Sequence, residues 1–158
     1  LPHVSSNELS GLLEAVAAAP YNGTADLPKI AGELQMEIDE LFPVAETLQM
    51  LRFAELEGGD LKLTEAGLAF CNAAQDERKR IFARQLLTYV PLAAHVRRVL
   101  DERTSHIARK SRFIDELEDF MTEEAAEQTI RAIVGWGRYA EVFAYEDESA
   151  RFTLENPA

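Results

Sequence analysis

Ten of the sixteen cationic side chains in this 158-residue sequence fall in one stretch: Arg78, Lys79, Arg80, Arg84, Arg97, Arg98, Arg103, Arg109, Lys110 and Arg112. Guanidinium and ammonium groups at that density can neutralise phosphates or pair with carboxylates. Nucleophiles and metal ligands are sparser. His3, His95 and His106 are widely spaced, none sits in a His-Glu-x-x-His pair, and Cys71, the only cysteine, has no histidine beside it. Zinc and cysteine-nucleophile mechanisms therefore lack their minimum parts. No Gly-Lys-Ser or Gly-Lys-Thr occurs, so the segment has no phosphate loop and no ATPase site of its own. A noncatalytic segment that holds neither metal nor cofactor is expected.

Outside the basic stretch the balance reverses. The whole chain carries 28 acidic residues against 16 basic ones, a formal charge of −12, so the flanks are strongly acidic. The central and outer regions must either pair with each other or face different partners. An apolar fraction of 47% is ample for a packed core in one domain of ordinary size. The longest apolar candidate for a membrane span, Leu86 to Val96, is broken by Thr88, Pro91 and His95 and falls short of the roughly 18 residues a span needs. The opening Leu1-Pro2-His3-Val4 has no start methionine and no signal-peptide pattern, so the chain reads as a segment of a longer protein. Asn22-Gly23-Thr24 matches a glycosylation sequon but is more simply a turn.

These residues need elements to position them. Ser5-Ser6-Asn7-Glu8 is a capping box that starts a helix running to about Ala19, ahead of Pro20 and Asn22-Gly23. Asp26 caps a short helix with Pro28 in its first turn and Leu27, Ile30, Ala31 and Leu34 as its buried stripe. From Glu37 to Leu51, Ile38, Leu41, Phe42, Ala45, Leu48 and Leu51 recur at steps of three and four, one face of a helix. Phe53 to Glu57, Gly58-Gly59-Asp60 and Leu61 to Leu63 form a hairpin, and Thr64 caps the next helix. Asp76 and Glu77 open a helix that Pro91 ends or kinks near Val90. A following segment buries Leu92, Val96 and Leu100. Thr104 to Lys110 reads as a polar link. Ser111 then caps a helix with Phe113, Ile114, Leu117 and Phe120 inward, and Thr122 caps a last one. That helix places Ala126, Ile130, Ile133, Val134 and Gly137 on one face, and Ala140 to Tyr145 with Arg151 to Leu154 close the chain as a second hairpin.

A motif recurs 86 positions apart: Arg52-Phe53-Ala54-Glu55-Leu56 and Arg138-Tyr139-Ala140-Glu141-Val142. Phe152 and Leu154 likewise correspond to Leu61 and Leu63. The fold expected is mainly α with short β-hairpins, two winged-helix-like units joined by central helices, with bounds at 1–75, 76–110 and 111–158. A winged helix invites a DNA-binding reading, but the would-be recognition helix carries Glu37, Asp39, Glu40 and Glu46 with no base before Arg52. Its counterpart sets Glu123, Glu124 and Glu127 against Arg131 and Arg138. Phosphate would be repelled from these helices, which makes nucleic acid the less favoured partner and protein the more favoured one. The candidate interaction residues are Arg78, Arg80, Arg84, Arg97, Arg98 and Arg138, with Trp136 and Tyr139 as amphipathic rings that can anchor a partner or close the core edge.

The chain resembles the C-terminal AAA-associated domain of ATP-binding subunits of ABC transporters of the nitrate, sulfonate and taurine type. The likeness is carried by the stretches Leu1–Glu14, Glu77–Phe82, Val90–His95 and Trp136–Glu141. It implies a noncatalytic accessory or regulatory domain that follows a nucleotide-binding domain, lies at the cytoplasmic face of the membrane and acts through protein–protein contacts. Its implied partners are the nucleotide-binding domain of the parent chain, a second copy of the module seamed along Leu86 to Val96, and, indirectly, the transporter's membrane subunit. A winged-helix DNA-binding regulator and a small-ligand sensor with a pocket between the units remain the alternatives.

Overall fold

The computed structural model describes residues 1–154. The chain divides into two compact units, one of Val4–Gln85 and the other of Leu1–His3 with the chain from Leu86 onward. Of the expected central stretch 76–110, residues up to Gln85 belong to the first unit and those from Leu86 to the second.

In the first unit, α1 (Ser6–Ala17) begins at a reciprocal cap. The Ser5 hydroxyl accepts from the Glu8 amide at 3.1 Å, and the Glu8 carboxylate accepts from the Ser5 amide at 3.2 Å. Leu9, Leu12, Leu13 and Val16 repeat at helical spacing and are buried. The chain continues through β1 (Thr24–Asp26), α2 (Leu27–Glu33) and α3 (Ile38–Met50) to the hairpin of β2 (Ala54–Glu57) and β3 (Asp60–Leu63). Gly58 and Gly59 turn that hairpin at φ of 56° and 88°, a region closed to most side chains. The sheet order is β1-β3-β2, all antiparallel, with Leu61 facing Ala25 on one side and Leu56 on the other. Thr64 then locks the start of α4 (Glu65–Asn72): its hydroxyl accepts from the Gly67 amide at 3.2 Å and donates to the Arg52 carbonyl at 2.7 Å. Phe53 lies between Phe70 and Phe82, with ring centroids 5.5 and 5.8 Å apart, at the centre of the core. α5 (Gln75–Tyr89) follows and contains the boundary between the units.

The second unit repeats the order. α6 (Pro91–Glu102) is followed by β4 (Ile107–Arg109), α7 (Lys110–Glu118), α8 (Glu123–Ala140), β5 (Ala144–Glu146) and β6 (Arg151–Thr153). Its sheet is ordered β4-β6-β5. Two backbone bonds recur at equivalent places. Leu63 donates to the Gly23 carbonyl and Leu154 to that of His106, while Leu27 donates to Gly59 and Lys110 to Ala150. Phe152, facing Ala108 and Tyr145, occupies the place of Leu61, and rings of Phe113, Phe143 and Tyr145 surround it at 4.9–5.4 Å. The fold is mainly α with short antiparallel hairpins, as expected.

Several local expectations are corrected. The recurring five-residue motif is displaced by three residues, because α8 continues through Ala140 and turns left-handed at Glu141 (φ 60°), whereas the turn after α3 comes at Arg52 (φ 63°). The last hairpin therefore begins at Ala144, not at Ala140. The first helix stops at Ala17. β1 and β4 fall where only loop was expected, since three residues are too few to show a strand's alternation. Asp26 stands at the N-cap of α2 without a side-chain bond, and Ser111 lies inside α7, whose N-cap is Arg109. Leu34, Ile38, Phe42 and Phe120, expected inside, are exposed, and Leu92 and Leu117 are only half-buried. Val44 and Thr47 take the inward places on α3, and Ala93 and Val99 on α6.

Candidate interaction surface

The basic residues share a stretch of sequence but not a role. Arg78, on α5, points back at the end of α4: its Nε donates to the Ala73 carbonyl and its Nη2 to the Cys71 carbonyl, both at 3.1 Å. Its Nη1 meets the Glu14 carboxylate at 2.6 Å, and the guanidinium lies 5.0 Å from the Phe70 ring centroid. The last carbonyls of a helix have no partner within it and carry its negative dipole end, so a fixed cation there is a brace for α4. Arg80 is exposed and forms a local pair with Glu77 at 2.8 Å. Arg84 is also exposed and reaches the Gln85 side chain at 3.5 Å. Arg97 donates to the Val142 carbonyl at 2.7 Å and pairs with Asp101 at 3.2 Å. Arg98, beside it, faces solvent.

On α8, Trp136 is fully buried, which places it in the core. Tyr139 is half-buried. Arg138 donates to the Tyr145 carbonyl, pairs with Asp147 at 3.1 Å and covers the Tyr145 ring at 5.4 Å. Of the candidate residues, the structure brings together Arg97 and Arg138. Both line a cavity of about 570 Å³ with Glu141, Phe143, Tyr145 and Leu154. Leu86, Val90, Ala93 and Val96, the expected self-association seam, are buried, leaving Tyr89 as the exposed ring of that stretch.

His95, His106 and the thiol are absorbed locally. His95 meets Glu116 at 2.9 Å and stands edge-on to Phe113, and His106 Nδ1 lies 2.7 Å from the Leu100 carbonyl. Among the described residues no group of His, Cys, Asp or Glu could hold a metal ion. Burial pushes the Cys71 thiol above its usual range, against the opposing pull of Arg78. The Tyr21 hydroxyl is enclosed, with the Glu33 carboxylate near it. Desolvation first, and the Glu33 carboxylate second, push it up to about 12. No described helix is long and apolar enough to cross a membrane.

What sequence reasoning missed is an exposed apolar row at the junction of α2 and α3, made by Leu34, Ile38 and Phe42. Their spacing is legible in the sequence, but spacing alone assigns them to the core. The signal that could have found them is the five acids without a base between Ile30 and Leu51.

Residues 28–146, most of the chain, match the sequence profile of the C-terminal AAA-associated domain. The chain belongs to that family. Three of the four stretches that carried the likeness lie inside the matched range, and Leu1–Glu14 lies before it. No curated protein and no solved structure matches the chain. Membership in the C-terminal AAA-associated domain family points to an accessory domain that accompanies AAA or ABC-type ATPases.

Proposed function

We propose that the chain is the noncatalytic regulatory domain of an ABC transporter's ATP-binding subunit, working through protein–protein contacts made by two winged-helix-like units. The observation that carries this reading is the chemistry of the two helices that a winged helix would offer to DNA. α3 exposes Ile38 and Phe42 among carboxylates and has no base, and α8 opens with Glu123 and Glu124. Strong phosphate binding needs several cations on one face, on the order of 6 to 10 contacts, and such a face is absent from both helices. Apolar side chains ringed by charge are what a protein partner recognises. The nearest partner is the nucleotide-binding domain of the parent chain, at the cytoplasmic side of the membrane. The membrane subunit is reached through it.

The test is the steady-state ATPase rate of the parent polypeptide with and without residues 1–158. A changed rate, or a changed response to transported substrate, is expected. An unchanged rate leaves only docking or stabilisation, and a parent without ATPase activity removes the reading. DNA titrated at low salt should leave the fluorescence anisotropy unchanged, whereas micromolar binding with a steep salt slope would restore the DNA-binding alternative.

A second reading, a small-anion sensor, is favoured by the cavity that Arg97 and Arg138 line. A thermal-shift screen with nitrate, sulfonates and bicarbonate distinguishes it, since a ligand bound only by the folded state raises Tm. Loss of that rise in Arg138→Ala would assign it to this cavity.

A further inference from the structure

We infer that the α2–α3 junction is a docking surface for a basic, amphipathic segment of another protein, most simply a helix with apolar and Lys/Arg faces. This deepens the proposed function by naming a surface and the chemistry that fits it.

Three observations meet there. First, Leu34 at the end of α2 is 40% exposed, and on α3 Ile38 is 39% and Phe42 42% exposed, one helical step of four apart and so on one edge of that helix. Second, the sequence from Ile30 to Leu51 contains five carboxylates, from Glu33 to Glu46, and no basic residue. The exposed apolar side chains therefore lie in an acidic stretch, with Lys29 and Arg52 as the nearest cations along the chain. Third, the second unit repeats the arrangement at the equivalent place. Between α7 and α8, Phe120 is 86% exposed, and the sequence from Asp115 to Glu127 holds seven acids and no base. One exposed apolar side chain needs no explanation, but the same composition at the same joint of two units does.

The occupant follows from charge. A second copy of this chain carries a net charge of −12 and meets the surface against its own repulsion. A cationic helix meets an attractive field, gains counter-charges for its Lys and Arg, and buries its apolar stripe against Ile38 and Phe42. Phosphate and anionic lipid are excluded by the same field.

The probe is a labelled, amidated Leu/Lys peptide with leucines at helical spacing, titrated against the chain and read by anisotropy. Binding on the order of micromolar is expected, weakened about tenfold or more by Ile38→Ser/Phe42→Ser. Both side chains are partly in solvent already, and circular dichroism checks that the variant folds. A control, Glu146→Gln/Asp147→Asn/Glu148→Gln in the second wing, should bind as the parent does. No binding, equal binding by the Ile38/Phe42 variant, or equal loss in the wing control would overturn the proposal, the last by reducing it to diffuse charge. A sedimenting dimer that the Ile38/Phe42 variant abolishes would overturn it in favour of a second copy. In the parent ATPase, an effect of deleting residues 1–158 that Ile38→Ser/Phe42→Ser does not reproduce discards this surface and leaves the regulatory reading standing.

Discussion

Replacing Arg78 by alanine should destabilise the Val4–Gln85 unit by about 3 kcal/mol, which separates a brace from a partner contact. The side chain makes two charge-assisted bonds to the carbonyls of Ala73 and Cys71. In this half-buried setting each contributes roughly 1 to 1.5 kcal/mol net, because its loss leaves a helix-end carbonyl without a partner. The pair with Glu14 is shorter, at 2.6 Å, but the Glu14 side chain is 54% exposed, so solvent screening holds it to about 0.5 kcal/mol. Contact with the Phe70 face adds a similar amount. The sum is on the order of a hundredfold in the folding equilibrium.

Urea denaturation followed by circular dichroism measures it. Glu14→Ala should cost only the exposed pair, and that share alone should vanish in high salt. Arg78→Lys keeps the charge but not the planar fork, and should recover less than about 1 kcal/mol. Arg80→Ala and Arg84→Ala, both exposed, should stay within about 0.5 kcal/mol of the parent. An Arg78→Ala chain as stable as the parent would refute the reasoning and return Arg78 to the pool of partner contacts.

Gly67→Ala should destabilise by about 2 to 3 kcal/mol in the same assay, since a Cβ there would lie 2.2 Å from the Phe53 carbonyl oxygen and force the start of α4 off Thr64. Gly11→Ala, on an open face of α1 with nothing within 4 Å, should instead stabilise by about 0.5 to 1 kcal/mol. Tyr21 ionises near 10 when unfolded and at about 12 when folded, so between those values the folded state holds more protons and stability falls as pH rises. Urea midpoints on either side of pH 10 should show that loss in the parent and less of it in Tyr21→Phe. Burial raises the Cys71 thiol, so iodoacetamide should label the folded chain more slowly than the urea-unfolded chain at the same pH, and equal rates would contradict that environment.

The elements that were legible are those whose signal is local. A capping box such as Ser5 to Glu8, a Gly-Gly turn, and a proline at the head of α6 each fix backbone geometry within a few residues, and each stands where the residues put it. β1 and β4 were not legible, because a three-residue strand exists only through its partner. Ala25 and Ala108 are strand residues by virtue of Leu61 and Phe152, which lie far along the chain. The displaced motif has the same origin. Arg138, Tyr139 and Ala140 look like Arg52, Phe53 and Ala54 as a string, yet the longer α8 keeps them helical and moves the left-handed turn to Glu141.

The candidate surface divides along the same line. Charge density in the sequence gathered Arg78 to Arg112 into one region, but whether a cation is free depends on what lies opposite it in space. Arg78 is spent on carbonyls of a neighbouring helix and Arg97 on that of Val142, while Arg84 and Arg98 remain at the surface. The converse error befell the apolar residues. Periodicity cannot distinguish a stripe that meets the core from one that is a step of the helix away, and on α3 the inward places went to Leu41, Val44, Ala45 and Leu48, turning Ile38 and Phe42 outward. A helix of 13 residues that buries one stripe and leaves Ile38 and Phe42 in solvent, with four acids and no base between Glu37 and Met50, has a surface its own unit does not use. The same imbalance at Phe120 makes the α2–α3 edge a property of the repeated unit, which is why Ile38→Ser/Phe42→Ser is the substitution that best separates a structural scaffold from a binding one.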